Sequence, residues 1–294
     1  MSAYHRLWPR SSRTAIFAAI LLACLTASLS AAAAPPEVKT RQFDGLTLEY
    51  RLQIENNPRV AYDGQAFVRT EAGKRIYTVL LNRAYFEREG GEIFDRLSKG
   101  SEPQRDSPEA GEGIAVLETD WFSPGHIPVA GLRTLQIQLE NAAWRDLHER
   151  CVATQASARK ARRDFVRAFA RARLASIEEH EVSHLIDLAR GGDEASPDFA
   201  RETELKAFYA ELARGGNPLD SMSQALAGLL DEVRRGRTVD YSREKVAAVL
   251  RFLRASPNLR RRIPELLRAD GPPSGSAEVL AIAGNRLLAE NPPQ

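Results

Sequence analysis

Residues 132–190 contain neither glycine nor proline, and this limits the possible folds of the chain more than any other feature. A run of this length without either helix-breaking residue predicts mostly α-helix, with one break near Thr154–Ser157. Gly191 and Gly192 follow directly, and glycine is the residue that helices favour just past their last turn. The sequence therefore predicts a long helical region that ends at this glycine pair.

More helices are predicted after the glycine pair. Ser196 before Pro197 is typical of a helix start, because serine caps free backbone N–H groups and proline fits the first turn. This helix is predicted to end at Gly215-Gly216. Three or four further helices are predicted at Leu219–Arg234, Tyr241–Ala255, Leu259–Arg268 and Ala277–Glu290.

The chain before residue 140 carries the pattern of β-strands. Five apolar residues alternate with polar ones from Leu46 to Ile54, which is the period of a strand with one buried face. Further strands are predicted at Arg75–Leu81, Ile114–Glu118 and Arg133–Leu139, with a loop at 98–113. The strand Ile114–Glu118 is expected either to border a substrate cleft, where it could pair with an extended peptide, or to be an ordinary core strand.

These patterns predict an α+β fold, in which a β-rich part at 35–140 packs on a mainly helical part at 141–294. The two parts form either two domains or one. Hydrophobic residues make up 43% of the chain, which is enough for a sizeable core. Cys151 has no partner outside the predicted leader for an internal disulfide, and we expect it to be a small buried helix residue.

The first 34 residues have the pattern of a secretory signal peptide. Three arginines precede an apolar run at 15–29, and the small residues 30–34 form a cleavage region ahead of Pro35. The sequence therefore predicts an exported protein, either periplasmic or secreted. An uncleaved membrane anchor is one alternative, and lipidation at Cys24 is another.

The segment from His180 to His184 reads His-Glu-Val-Ser-His, and it is the motif that indicates chemistry. The histidines are four residues apart, so they lie one turn apart on one face of a helix and can both reach one metal ion. Glu181 lies to the side of that face, where it can hold a water molecule. Two buried histidines that bond only to backbone would give the same pattern.

A zinc site of this kind needs a third protein ligand. The next helix offers Glu202 and Glu204, which lie on different sides of that helix. Arg190 occupies the position at which a metzincin would carry its third histidine, so that pattern is excluded.

Residues 177–208 resemble the gluzincin metallopeptidases, which include the thermolysin-like enzymes. In that family, the His-Glu-x-x-His motif is followed about twenty residues later by a glutamate ligand, often with alanine three residues beyond it. Glu204 and Ala207 occupy these positions here. The resemblance implies that His180, His184 and Glu204 bind Zn²⁺ and that Glu181 is the general base.

The chain departs from that family at two points. Phe208 stands where these enzymes often carry an aspartate that steadies a histidine ligand, and Asp187 is the predicted substitute. No histidine follows His184, so a downstream histidine that stabilises the oxyanion is missing. Tyr209 and Tyr241 are the candidates for that role.

A basic run extends over residues 159–173. Phe165 and Phe169 are four residues apart and are predicted to face the core, which leaves the arginines on the opposite side. That side is expected to be a solvated face, or alternatively a contact for anionic envelope polymers or lipid headgroups. The net charge of the chain is only +2, so no nucleic-acid partner is expected.

Taken together, these features predict an exported zinc metallopeptidase that acts on a peptide or protein substrate. Two alternatives stay open. One is a non-catalytic, zinc-stabilised envelope scaffold or binding protein, and the other is a helical adaptor whose histidines hold no metal. His126 and His148 are predicted to be surface or capping residues.

Overall fold

The computed structural model describes residues 36–43, 45–60, 62–100, 132–192, 196–235, 241–255 and 275–290. These residues form four strands followed by seven helices, which confirms the predicted α+β class. The predicted signal peptide, the strand Ile114–Glu118, the helix Leu259–Arg268 and His126 lie outside the described residues.

One mixed sheet contains all the strands of the described residues. They are β1 (Glu37–Phe43), β2 (Leu46–Glu55), β3 (Gly64–Glu71) and β4 (Lys74–Asn82), and their order across the sheet is β1-β2-β4-β3. The central pair β2–β4 is parallel, and each outer strand is antiparallel to its neighbour. Leu48, Tyr50 and Leu52 are buried on one face of β2, as their alternation predicts.

Helices make up every described element after Asn82. They are α1 (Arg83–Ser98), α2 (Leu132–Thr154), α3 (Ala158–Ala189), α4 (Pro197–Arg214), α5 (Pro218–Arg235), α6 (Ser242–Ala255) and α7 (Ser276–Glu290). The predicted break between α2 and α3 is confirmed, and the Ser157 hydroxyl caps α3. Gly191 has φ +89 and ends α3, and Ser196 caps α4. Within the described part of the chain, no helix has both the length and the hydropathy needed to cross a bilayer.

The strand predicted at Arg133–Leu139 is wrong, because these residues belong to α2. Gln136 is the reason for the error. Its polar side chain is buried, and its amide donates to the Ser223 hydroxyl of α5 at 3.2 Å. A buried, hydrogen-bonded glutamine inside a helix gives the same alternation of apolar and polar residues as a half-exposed strand.

Helix α1 was not predicted from the sequence. Phe86, Ile93 and Phe94 are buried on its inner side. Gly90 allows the close approach of α1 to α3, since a Cβ at this position would clash with the Phe169 ring. The helical part of the chain therefore begins directly after the sheet.

Two clusters of buried side chains form the core. The first, here called the sheet cluster, joins one face of the sheet to α1, α2 and α3 and includes Cys151, which is buried as predicted. The second, here called the helical cluster, lies among α4 to α7 and includes Leu139 from α2. Since α3 packs directly on α4, the two clusters meet along this helix pair.

The basic run on α3 follows its prediction with one exception. Phe165 and Phe169 are fully buried in the sheet cluster, and the positively charged side chains from Arg159 to Arg171 are exposed. Arg173 is different, because its side chain is only 4% exposed. The prediction that the arginines lie opposite the core is therefore wrong for Arg173.

Candidate metal centre

The His-Glu-Val-Ser-His motif lies in the last third of α3, on the side that packs against α4. The rings of His180 and His184 are 5.0 Å apart between centroids. Both histidine side chains are mostly buried, with exposed fractions of 15% and 17%. Both imidazoles therefore lie in the interface between α3 and α4.

Glu204 reaches this pair of histidines from α4. Its Oε1 lies 3.5 Å from His184 Nε2, and its Oε2 lies 3.7 Å from His180 Nε2. Ligand atoms of all three residues lie within 4.8 Å of one another. Ligands of a tetrahedral ion at 2.0–2.1 Å are separated by about 3.3 Å, so small side-chain shifts could close the group around zinc.

The ligand candidates from the sequence thus come together in space, and the glutamate among them is Glu204 and not Glu202. No other set of three or more histidine, cysteine, aspartate or glutamate side chains in the described ranges lies close enough to hold a metal ion. The three side chains could therefore hold a metal ion.

The surroundings of the three side chains favour a cation. Burial alone would lower the pKa of His180, but Glu211, Glu204 and Glu181 raise it to about 9. Burial alone would also raise the pKa of Glu204, but Lys245 and the two histidines hold it well below its usual value. Positive charge is therefore stabilised at the His180 imidazole, where a divalent ion would replace one proton.

Glu181 lies next to the edge strand β3. The backbone of Gly64 comes so close to α3 that a Cβ there would clash with Ile177 and lie 3.3 Å from the Glu181 side chain. Burial raises the pKa of Glu181, and the opposing charges of His180 and His184 do not cancel this effect. A carboxylate whose pKa is raised is a better proton acceptor, which suits a general base.

Glu211 is a residue of this centre that the sequence analysis missed. Its Oε2 lies 3.4 Å from His180 Nδ1, and its Oε1 accepts hydrogen bonds from the hydroxyls of Ser176 and Ser221 at 3.0 and 2.9 Å. Burial alone would raise the pKa of Glu211, but His180 lowers it to about 2. Glu211 therefore faces one ring nitrogen of His180 while the other faces Glu204, which is how outer carboxylates orient histidine ligands.

The spacing of Glu211 could have identified it. Glu211 follows Glu204 by seven residues, or two turns, so both lie on the same side of one helix. Glu211 could therefore have been found among the carboxylates on the same face of α4 as Glu204.

Glu211→Gln is expected to weaken zinc binding by about 10- to 100-fold, the usual effect of losing a carboxylate behind a histidine ligand. The amide keeps the shape of the side chain but removes the charge that holds His180 in its orientation. Competition with a coloured zinc chelator measures the affinity. Glu149→Gln, at an exposed position on α2, is the control and should bind zinc like the wild type. Equal affinities of the two variants would exclude this role for Glu211.

A buried ion network supports Glu211 from the side opposite His180. Nη1 of Arg173 lies 2.7 Å from Asp220 Oδ2 and 3.7 Å from Glu211 Oε1, and Nε lies 3.8 Å from Glu89 Oε2. Trp144 donates its indole N–H to the other oxygen of Asp220 at 2.8 Å. Burial raises the pKa of Glu89 to about 7 despite Arg173. One buried guanidinium thus faces three carboxylates.

Asp187 is buried beyond His184 and lies near Lys206, whose Nζ is 3.7 Å from Oδ1. Burial raises the pKa of Asp187, and the charges of Lys206 and His184 partly oppose this. Its second oxygen, Oδ2, is buried without a hydrogen-bond partner. The supporting role of Asp187 behind His184 stays a prediction.

The two tyrosines lie on different elements. Tyr209 belongs to the helical cluster, where burial raises its pKa to about 12. Tyr241 has φ 52 and directly precedes α6. Their role in stabilising an oxyanion stays a prediction.

Comparisons of the chain with protein-family models, with curated proteins and with solved structures found no match. The resemblance to gluzincins therefore depends on the motif residues of this chain alone.

Proposed function

We propose that this chain is an exported zinc metallopeptidase that hydrolyses peptide bonds with Glu181 as general base. The main support for the proposal is that His180, His184 and Glu204 lie close together, with their ligand atoms within 4.8 Å of one another. Two histidines and one glutamate are a ligand set of catalytic zinc sites, in which three protein ligands leave a fourth position open.

The place of Glu181 in the His-Glu-Val-Ser-His motif supports a role as general base. Zinc in such a site polarises the substrate carbonyl and makes a water at its open position more acidic. Glu181 would take a proton from this water and pass it to the leaving amine. Glu181 directly follows His180 on α3 and is not one of the three residues of the ligand group, which supports this role.

Export is part of the proposal and is supported by the signal-peptide pattern of residues 1–34. The location would be the periplasm or the extracellular space. The exposed basic side chains between Arg159 and Arg171 support a contact with anionic envelope components there.

The test is the Glu181→Gln variant. We expect it to retain one zinc per chain and to cleave an unstructured protein such as casein about 10²- to 10⁴-fold more slowly than the wild type, the usual contribution of a positioned general base. Zinc is measured by elemental analysis and cleavage by release of soluble peptides.

Glu179→Gln is the matched control, because Glu179 belongs to the same helix but pairs with Arg41 of β1. It should keep both zinc and activity. Zinc without cleavage in the wild type would favour the non-catalytic scaffold. A wild type without zinc would favour the adaptor, and equal cleavage by wild type and Glu181→Gln would exclude Glu181 as the base.

A further inference from the structure

We propose that Lys245 is a positioning residue of the metal centre, which holds one oxygen of Glu204 so that only the other oxygen is available to the ion. This inference rests on the metal site of the proposed function and specifies its geometry. It predicts a monodentate glutamate and therefore an ion with few ligands.

Lys245 reaches the centre from the first turn of α6. Its Nζ donates to Glu204 Oε2 at 2.9 Å. The Lys245 side chain is only 7% exposed, whereas that of Glu204 is 27% exposed. A charge-assisted hydrogen bond in such a buried place is stronger than one at the surface and fixes the carboxylate orientation.

The position of Lys245 depends on contacts that do not involve Glu204. The carboxylate of Glu232 on α5 accepts hydrogen bonds from the backbone N–H groups of Ser242 and Arg243, at 2.9 and 3.2 Å. Gly228 packs so closely on Ser242 that a Cβ there would clash with its side chain. These contacts fix the start of α6 against α5. The backbone of α6 therefore places Lys245 near Glu204.

The two oxygens of Glu204 consequently have different surroundings. Oε1 lies 3.5 Å from His184 Nε2, whereas Oε2 is bonded to Lys245 and lies 3.7 Å from His180 Nε2. An ion that used both oxygens would have to approach the Lys245 ammonium, and like charges repel strongly in a site with little water. Oε1 is therefore the oxygen offered to the ion.

This arrangement bears on metal choice. Two imidazoles, one carboxylate oxygen and one water give the four ligands that suit zinc. Without Lys245, Glu204 could bind through both oxygens, and carboxylate-rich sites with more ligands suit Mn²⁺ better. Removal of the ammonium charge favours both divalent ions alike, so the ratio of the Mn²⁺ and Zn²⁺ affinities reports ligand geometry separately from charge.

The experiment compares full-length wild type with Lys245→Met, a substitution that keeps the length of the side chain and suits a buried position. Each protein is loaded with Co²⁺ in place of zinc, and its visible absorption is recorded, since four-coordinate cobalt absorbs several-fold more strongly than cobalt with five or six ligands. The wild type should show the strong spectrum and Lys245→Met the weak one. The ratio of Mn²⁺ to Zn²⁺ affinity should rise by about tenfold in the variant.

Lys39→Met is the control, because Lys39 also pairs with a glutamate, Glu178, but lies outside the ligand group. Its cobalt spectrum should match the wild type. A strong spectrum from Lys245→Met, or a weak one from the wild type, would overturn the role of Lys245 while leaving the metal site in place. The cobalt spectrum of the wild type can overturn the role of Lys245 even if Lys245→Met does not fold. If the wild type binds neither cobalt nor zinc, both this inference and the proposed function fail.

Discussion

His184→Ala is expected to lose its zinc and every activity that depends on zinc. Four-ligand zinc sites contribute about 10–16 kcal/mol of binding, or about 3 kcal/mol per ligand, so the loss of one ligand weakens binding by at least about 100-fold. Only His180 and Glu204 of the ligand group would remain. Two ligands are fewer than any catalytic zinc site uses.

Two measurements check this result. Elemental analysis after dialysis against buffered zinc should give one zinc per wild-type chain and none per variant chain. Thermal unfolding gives a second readout, because a ligand at 1,000 times its dissociation constant stabilises the native state by about 4 kcal/mol. Added zinc should raise the melting temperature of the wild type and leave that of His184→Ala unchanged.

His148→Ala is the control for the loss of a histidine. His148 contacts Phe94 and shares a 2.9 Å hydrogen bond with the Ser98 hydroxyl, outside the ligand group. This variant should keep its zinc. If His184→Ala also keeps one zinc per chain, the proposed ligand set is wrong.

Arg173→Met is expected to lower the free energy of unfolding by about 3–5 kcal/mol, the usual cost of removing one partner from a buried ion pair. The guanidinium lies 2.7 Å from Asp220 Oδ2 and also faces Glu89 and Glu211. Methionine fills much of the same space, so the loss comes from carboxylates that remain buried without their cation. A loss of this size is a large share of the stability of an average domain.

Urea unfolding in the presence of a zinc chelator measures this effect. The chelator is needed because Glu211 also faces His180, and lost zinc would add to the loss of stability. Arg171→Met is the control, since Arg171 is exposed on the same helix and should change the stability by less than about 0.5 kcal/mol. Asp220→Asn combined with Arg173→Met should recover part of the loss. Similar stabilities of the two arginine variants would contradict the role of Arg173.

Helices after residue 140 were predicted from the sequence because their signals are local, whereas α1 and the start of α2 were not. The run without glycine or proline at 132–190 forms α2 and α3, and the break between them is capped by Ser157. The glycine pair at 191 ends α3 and Ser196 begins α4, both as predicted. Helical hydrogen bonds join residues four apart, so a helix and its caps can be recognised within a short window.

Strands β1 and β3, at the edges of the sheet, were not predicted, because neither has a regular alternation of buried and exposed residues. Val38 of β1 is 61% exposed, so β1 has no clear alternation of buried and exposed residues. Its pairing with β2, together with the ion pairs of Lys39 and Arg41 with α3, stabilises β1. At Arg133–Leu139 burial likewise does not follow polarity, since Gln136 is polar but buried and its amide donates to the Ser223 hydroxyl of α5.

The sequence by itself determined that His180 and His184 share a helix face and that Glu204 lies on the next helix, because these relations depend only on helical periodicity and on the position of the glycine pair. The tertiary structure alone decided which charged residues surround them. Glu211 shares a helix face with Glu204, but only the packing of α4 on α3 brings it to His180. Arg173 of α3 meets Asp220 of α5, and Lys245 of α6 reaches Glu204 of α4, over separations at which side-chain periodicity carries no information.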